Sequence, residues 1–95
     1  MKKYQINRKQ FSILEGLAYW MADRSWFMER YGSNDPEFSR YDTTIRGLFD
    51  EADRAAIPWA VQNMVICWAE DWRQEASEYL NNMLERRGVV IDCAA

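Results

Sequence analysis

Between Ile57 and Gly88 the chain reads IPWAVQNMVICWAEDWRQEASEYLNNMLERRG, and one regularity in that stretch constrains the fold more than any other. At 100° per residue, Val61, Val65, Trp68, Trp72, Ala76, Tyr79 and Met83 fall within an arc of about 80° on a helical wheel. Ile66, Ala69, Leu80 and Leu84 flank that seam, while Asn63, Glu70, Asp71, Gln74, Glu78, Asn81 and Glu85 gather opposite. A strand alternates sides every second residue and could not sort acids from apolar residues in this way. The spacing predicts one helix from Pro58 to about Arg87. Pro58 suits its first turn, Gly88 its C-cap, and Arg86 and Arg87 complement the negative end of its dipole. At 1.5 Å rise per residue such a rod would be roughly 45 Å long.

The same periodicity recurs earlier. Ile13, Leu14, Leu17, Trp20, Met21, Phe27, Met28 and Tyr31 return every three or four positions, which predicts a helix from about Arg8 to Tyr31. Asn7 is its expected N-cap and Gly32 its stop. Asp35-Pro36-Glu37 then reads as a capped single turn. A second helix is expected from Asp42 or Thr43, with Ile45, Leu48, Phe49, Ala52 and Ala56 as its stripe, ending ahead of Pro58. Tyr4 to Ile6 and Val89 to Ile91 are short strand candidates that could pair the chain ends. The expected fold is all-α: one domain over residues 1–95, a three-helix bundle-like arrangement with a long C-terminal helix and a minor two-stranded pairing.

Ninety-five residues suffice for one core, and 48% apolar content leaves ample material to fill it. No run approaches the roughly 18 to 20 apolar residues of a bilayer span, and the basic start is not followed by an apolar leader segment. A cytoplasmic protein without membrane contact is expected, the host cytoplasm if the chain is phage-encoded. Lys2, Lys3, Arg8 and Lys9 make the first ten residues basic, whereas residues 15 to 85 hold fourteen acids against six arginines. A net charge of −3 argues against a general nucleic-acid binder, which needs a broad basic face.

The chain has no histidine and only two cysteines, Cys67 and Cys93, so neither a metal site nor a disulfide framework is expected, nor any cofactor. Without histidine a Ser or Cys nucleophile lacks its commonest base, and no phosphate-cradling glycine loop or G-x-S-x-G occurs. Adjacent carboxylates such as Glu70 and Asp71 point about 100° apart on a helix and do not converge on one substrate atom. Catalysis is not expected.

What remains is binding. On the first helix Tyr19 and Trp26 fall with Glu15, Ala22, Asp23 and Arg30, away from Leu14, Leu17 and Met21. Two aromatics ringed by charges have the composition of a binding hot spot, since Trp and Tyr bury much area at little rotamer cost. The competing reading packs them beneath the 33–41 segment, whose Phe38 and Tyr41 also need cover. The acidic face that includes Glu70, Asp71 and Glu78 is a second candidate contact for a protein partner. The seam likewise has two uses: a core face against the other helices, or a homodimer seam through Val65, Trp68, Trp72, Tyr79 and Met83.

The expected function is therefore a non-catalytic acidic protein that binds another macromolecule. By analogy of size, charge and helix content, it would act as small phage- or plasmid-borne inhibitors of host defence nucleases do, by steric occlusion. The alternative is a dimeric nucleic-acid-linked regulator whose Lys2, Lys3, Arg8 and Lys9 touch phosphates.

Overall fold

A computed structural model describes residues 4–71 and 79–92, the side chains of Glu70 and Asp71 excepted. The element order is β1 (Tyr4–Asn7), α1 (Arg8–Tyr31), α2 (Phe38–Arg54), α3 (Trp59–Asp71), α4 (Leu80–Arg86) and β2 (Val89–Asp92). Helix dominates, as the periodicity requires. α1 is the hub, with α2 and α3 both packed on it.

The start of α1 is set by reciprocal hydrogen bonds. The Gln10 amide donates to Asn7 Oδ1 at 2.8 Å, and the Asn7 amide donates to Gln10 Oε1 at 2.8 Å, so two orphan donors of the first turn are satisfied. The same Gln10 donates through Nε2 to the Ala55 carbonyl at 2.8 Å, which ties the base of α1 to the end of α2. At its far end α1 stops at Gly32, whose φ of 81° and ψ of 168° lie in a region essentially restricted to glycine. The Gly32 amide still donates back to Met28 at 2.9 Å.

α2 begins at Phe38, earlier than the expected Asp42 or Thr43. The Asp35 turn is present, since its carboxylate accepts from the Glu37 amide at 2.9 Å and its carbonyl from the Phe38 amide at 3.0 Å. It runs straight into helix because Phe38 is buried only when helical geometry turns it inward. α2 ends in a Schellman arrangement, with Ile57 N–H donating to Ala52 and Ala56 N–H to Asp53, each at 3.0 Å. Ala56 therefore lies just past the end of α2, with φ of 59°, where glycine is the usual occupant.

The single helix expected over residues 58–87 divides into α3 and α4, and Tyr79 between them is not helical. Trp72, Ala76 and Glu78 lie outside the described residues. Connectivity supplies the reason. α3 starts at the α2 corner beside Gln10, and the Gly88 carbonyl accepts from the Tyr4 amide at 3.0 Å, again at the base of α1. A straight rod of roughly 45 Å cannot start and finish at the same end of its partner. Both ends of the expected rod lie at the base of α1, and α4 delivers β2 to β1.

β1 and β2 pair in parallel, with Tyr4 opposite Val89 and Asn7 opposite Asp92, which joins the two strand candidates. Ile6 and Val89 turn inward to one aliphatic core with Leu14, Leu17, Val61, Val65, Leu80 and Leu84. Each such side chain contributes about 1.5 to 3 kcal/mol when fully buried. The buried residues of α1 all lie between Leu14 and Ala22, and beyond Ala22 the described ring contacts from other elements come from α2, through Phe38 and Tyr41. Gln62 is the one buried polar side chain of the described core. It donates to the Ile57 carbonyl at 2.9 Å and to Asp53 Oδ1 at 3.0 Å, clamping the α2–α3 corner.

Candidate docking surface

Tyr19, Asp23, Trp26 and Arg30 follow one another along α1 at intervals of four, three and four residues, which places them in a single stripe. The stripe lies away from Leu14, Leu17 and Met21, which point into the core. Ala22 departs from the expectation. It is 4% exposed, because its small side chain sits at the edge of the stripe and is covered by the core. Tyr19 is 56% exposed and meets its neighbour Trp20 edge to face, with centroids 5.6 Å apart. Trp26 is half-buried, its ring edge to face with Tyr31 at 6.2 Å and capped by the Arg30 guanidinium at 5.5 Å.

The proposed burial beneath the 33–41 segment falls to other residues. Tyr41 packs on Phe27 at 5.2 Å and Trp20 at 5.9 Å, and Phe38 on Phe27 at 6.4 Å. Those rings lie on the α2 side of α1, with Phe27 and Trp20 about 40° to 120° round the helix from the stripe residues. Arg24 joins them, its guanidinium 4.7 Å from the Phe38 centroid while Nε donates to Asp42 at 3.0 Å. This ion pair is partly exposed, so its worth is at most about 1 kcal/mol.

Asp23 links the stripe to this cluster. Its Oδ2 accepts the Tyr41 hydroxyl at 2.9 Å. Burial, and then the hydrogen bond and negative charge of Asp23, raise Tyr41 from the usual phenol value of 10.0 to about 12. At neutral pH Tyr41 is thus a donor with its proton firmly held.

The seam residues divide. Val65 is sealed in the chain's own core and Met83 nearly so, which corrects their assignment to a shared dimer seam: an internal partner already covers them. Trp68 and Tyr79, with Met83, Asn82, Arg86 and Arg87, line an open groove of about 310 Å³. Trp72 lies outside the described residues. Of the acidic face, Asp71 closes α3, the side chains of Glu70 and Asp71 are outside the description, and so is Glu78. Of the basic arm, Arg8 and Lys9 are exposed on the first turn of α1, and Lys2 and Lys3 lie outside the described residues.

The exposure of four apolar side chains, Met28, Tyr31, Trp59 and Val90, escapes the sequence reading. Met28 and Tyr31, 47% and 53% exposed, continue the apolar stripe of α1 past its last buried residue, Ala22. Trp59, 61% exposed, stands at the start of α3 with its ring 6.2 Å from that of Phe49. Periodicity marks which side of a helix is apolar and is silent on how far its neighbours reach.

No helix of the described residues is long and apolar enough to cross a membrane. Comparison with protein-family models, characterised proteins and solved structures gives no match to this chain.

Proposed function

We propose that the chain is a non-catalytic binding protein that docks on another protein through the outer stripe of α1. The observation that carries this reading is the pair Tyr19 and Trp26, two large rings set two turns apart on the outer side of the helix that organises the core. At Tyr19 the opposite side of α1 is locked into that core, so this part of the stripe is held in place and little ordering entropy opposes binding there. Exposed aromatics on a rigid support are the usual anchors of protein interfaces. The acidic balance of the chain favours targets with a basic surface. Steric occlusion of such a surface on a host nuclease or similar protein is the action that suits a small body of this charge.

The test is affinity capture from the native host with the wild type and with a Tyr19→Ala, Trp26→Ala double variant. A bound protein should be retained by the wild type and reduced about tenfold or more with the double variant. Tyr19→Ala should leave stability within about 0.5 kcal/mol, because its ring is mostly in solvent. The captured protein is then assayed for activity on nucleic acid with and without the chain. Equal retention by wild type and double variant removes this stripe from the reading, and an unaffected target activity removes the occlusion.

A further inference from the structure

Asp23 occupies the middle of the α1 stripe, one turn beyond Tyr19 and one turn short of Trp26. The Tyr41 hydroxyl holds its carboxylate at 2.9 Å and orients it, but a neutral donor leaves the negative charge in place. Among the described residues no cation stands within ion-pair distance of it. The two arginines best placed in sequence are engaged elsewhere: Arg24 is turned to Asp42 and Phe38, and Arg30 lies over the Trp26 ring.

A fixed carboxylate with an aromatic ring on either side is the combination that recognises an ammonium or guanidinium group. The carboxylate accepts charge-assisted hydrogen bonds, and the ring faces attract the cation through their quadrupoles. Arg30 over Trp26 is an example of the second contact within the chain itself. Building on the docking proposal above, we infer that the partner presents a cationic segment to this stripe, with one Lys or Arg side chain seated against Asp23 between Tyr19 and Trp26. One face of Trp26 is taken by Arg30, so the incoming cation approaches from the Tyr19 side. The net charge of −3 draws such a segment in, and the aromatics then select its geometry.

Asp23→Asn isolates the claim. An asparagine oxygen still accepts from Tyr41, so the packing is preserved while the charge is gone. The probe is a short peptide of alternating Arg and Leu, with the same peptide carrying Glu for Arg as the control, titrated into the isotopically labelled full chain. The Arg peptide should give saturable shifts confined to residues 19–30, including the Trp26 indole N–H. Asp23→Asn should weaken that binding about tenfold and flatten its salt dependence. Tyr41→Phe, which keeps the charge but releases the carboxylate, should weaken binding less than Asp23→Asn does and keep its salt dependence. Binding of the Glu peptide with equal affinity, absence of saturable shifts with the Arg peptide, or wild-type affinity in Asp23→Asn overturns the inference. With the captured partner the two proposals separate. Capture lost in the Tyr19, Trp26 double variant but unchanged in Asp23→Asn leaves docking standing and removes the cationic segment.

Discussion

The two ends of α1 are held by different chemistry. Around Leu14, Leu17 and Ala18 the helix is enclosed by aliphatic side chains from α3, α4 and both strands, and its buried positions are sealed. Toward its other end the contacts with α2 include rings and charges: Trp20, Phe27, Phe38 and Tyr41 with Arg24, Asp23 and Asp42. Aliphatic packing is undirected and needs enclosure on every side. Aromatic side chains cover more area each and keep polar handles that tolerate a wet edge, so α1 and α2 can stay packed where the surface is more open. The first end carries the fold, and the second leaves Trp26 half-buried and Met28 and Tyr31 at the surface.

The sharpest way to break that contrast is a pair of truncations. Leu17→Ala leaves a void in the enclosed end and should cost about 3 to 5 kcal/mol, read as a fall in the urea midpoint of the whole domain. Phe38→Ala should cost less, about 2 kcal/mol, because the aromatic end is more open, so it can collapse around the gap and water can enter. In hydrogen exchange the Phe38 variant should lose protection at the end of α1 and the start of α2 while the core amides stay slow. If both variants unfold as one unit with equal losses, the division between the ends is wrong.

Tyr41→Phe sharpens the comparison at the junction. Loss of the hydroxyl bond to Asp23 should cost about 1 kcal/mol at neutral pH. Tyr41 also titrates near 12 in the folded chain against 10.0 for an ordinary phenol. Folded and unfolded chains are both protonated below pH 10, so the contribution is whole there. As pH rises from about 10 to about 12 the unfolded chain releases this proton first and stability falls. Urea titrations at pH 9 and pH 11.5 should show a smaller loss in Tyr41→Phe than in the wild type. An equal loss assigns the alkaline sensitivity to other groups.

The smallest effect is expected at the opposite corner. Ala56 carries a left-handed backbone conformation that costs an L residue roughly 1 to 2 kcal/mol, offset in part by the greater unfolded-state freedom of glycine. Ala56→Gly should therefore stabilise the chain by about 0.5 kcal/mol, seen as a small rise in Tm without a change at the aromatic end. Destabilisation would mean that the Schellman corner is held by its side chain and not by its backbone.

Much of the architecture is legible because its causes are local. The bounds of α1 follow from the Asn7–Gln10 capping box and from Gly32, all within a few residues of the ends they set. The inward side of α3 follows from spacing, and Val61, Val65 and Ala69 are buried where the wheel puts them. The stripe of Tyr19, Asp23, Trp26 and Arg30 is likewise a consequence of helical repeat. Ala22 was misread because the wheel assigns an angle and cannot measure how close a neighbouring helix comes.

Other features depend on contacts between residues far apart in the chain. The start of α2 moves to Phe38 because Phe27 lies opposite to receive it. The division of the last helix is forced by the need to bring β2 back beside β1, a requirement no local window contains. Tyr41 reaches Asp23 across eighteen positions, and the exposure of Met28, Tyr31 and Trp59 reflects where their neighbours end. By itself the sequence determined that the chain is mainly helical, where α1 is capped and which sides are apolar, since propensity, capping and periodicity act over one or two turns. Only the tertiary structure decided which apolar residues are enclosed and which face solvent, because burial is a property of the neighbours that arrive and not of the residue that waits for them.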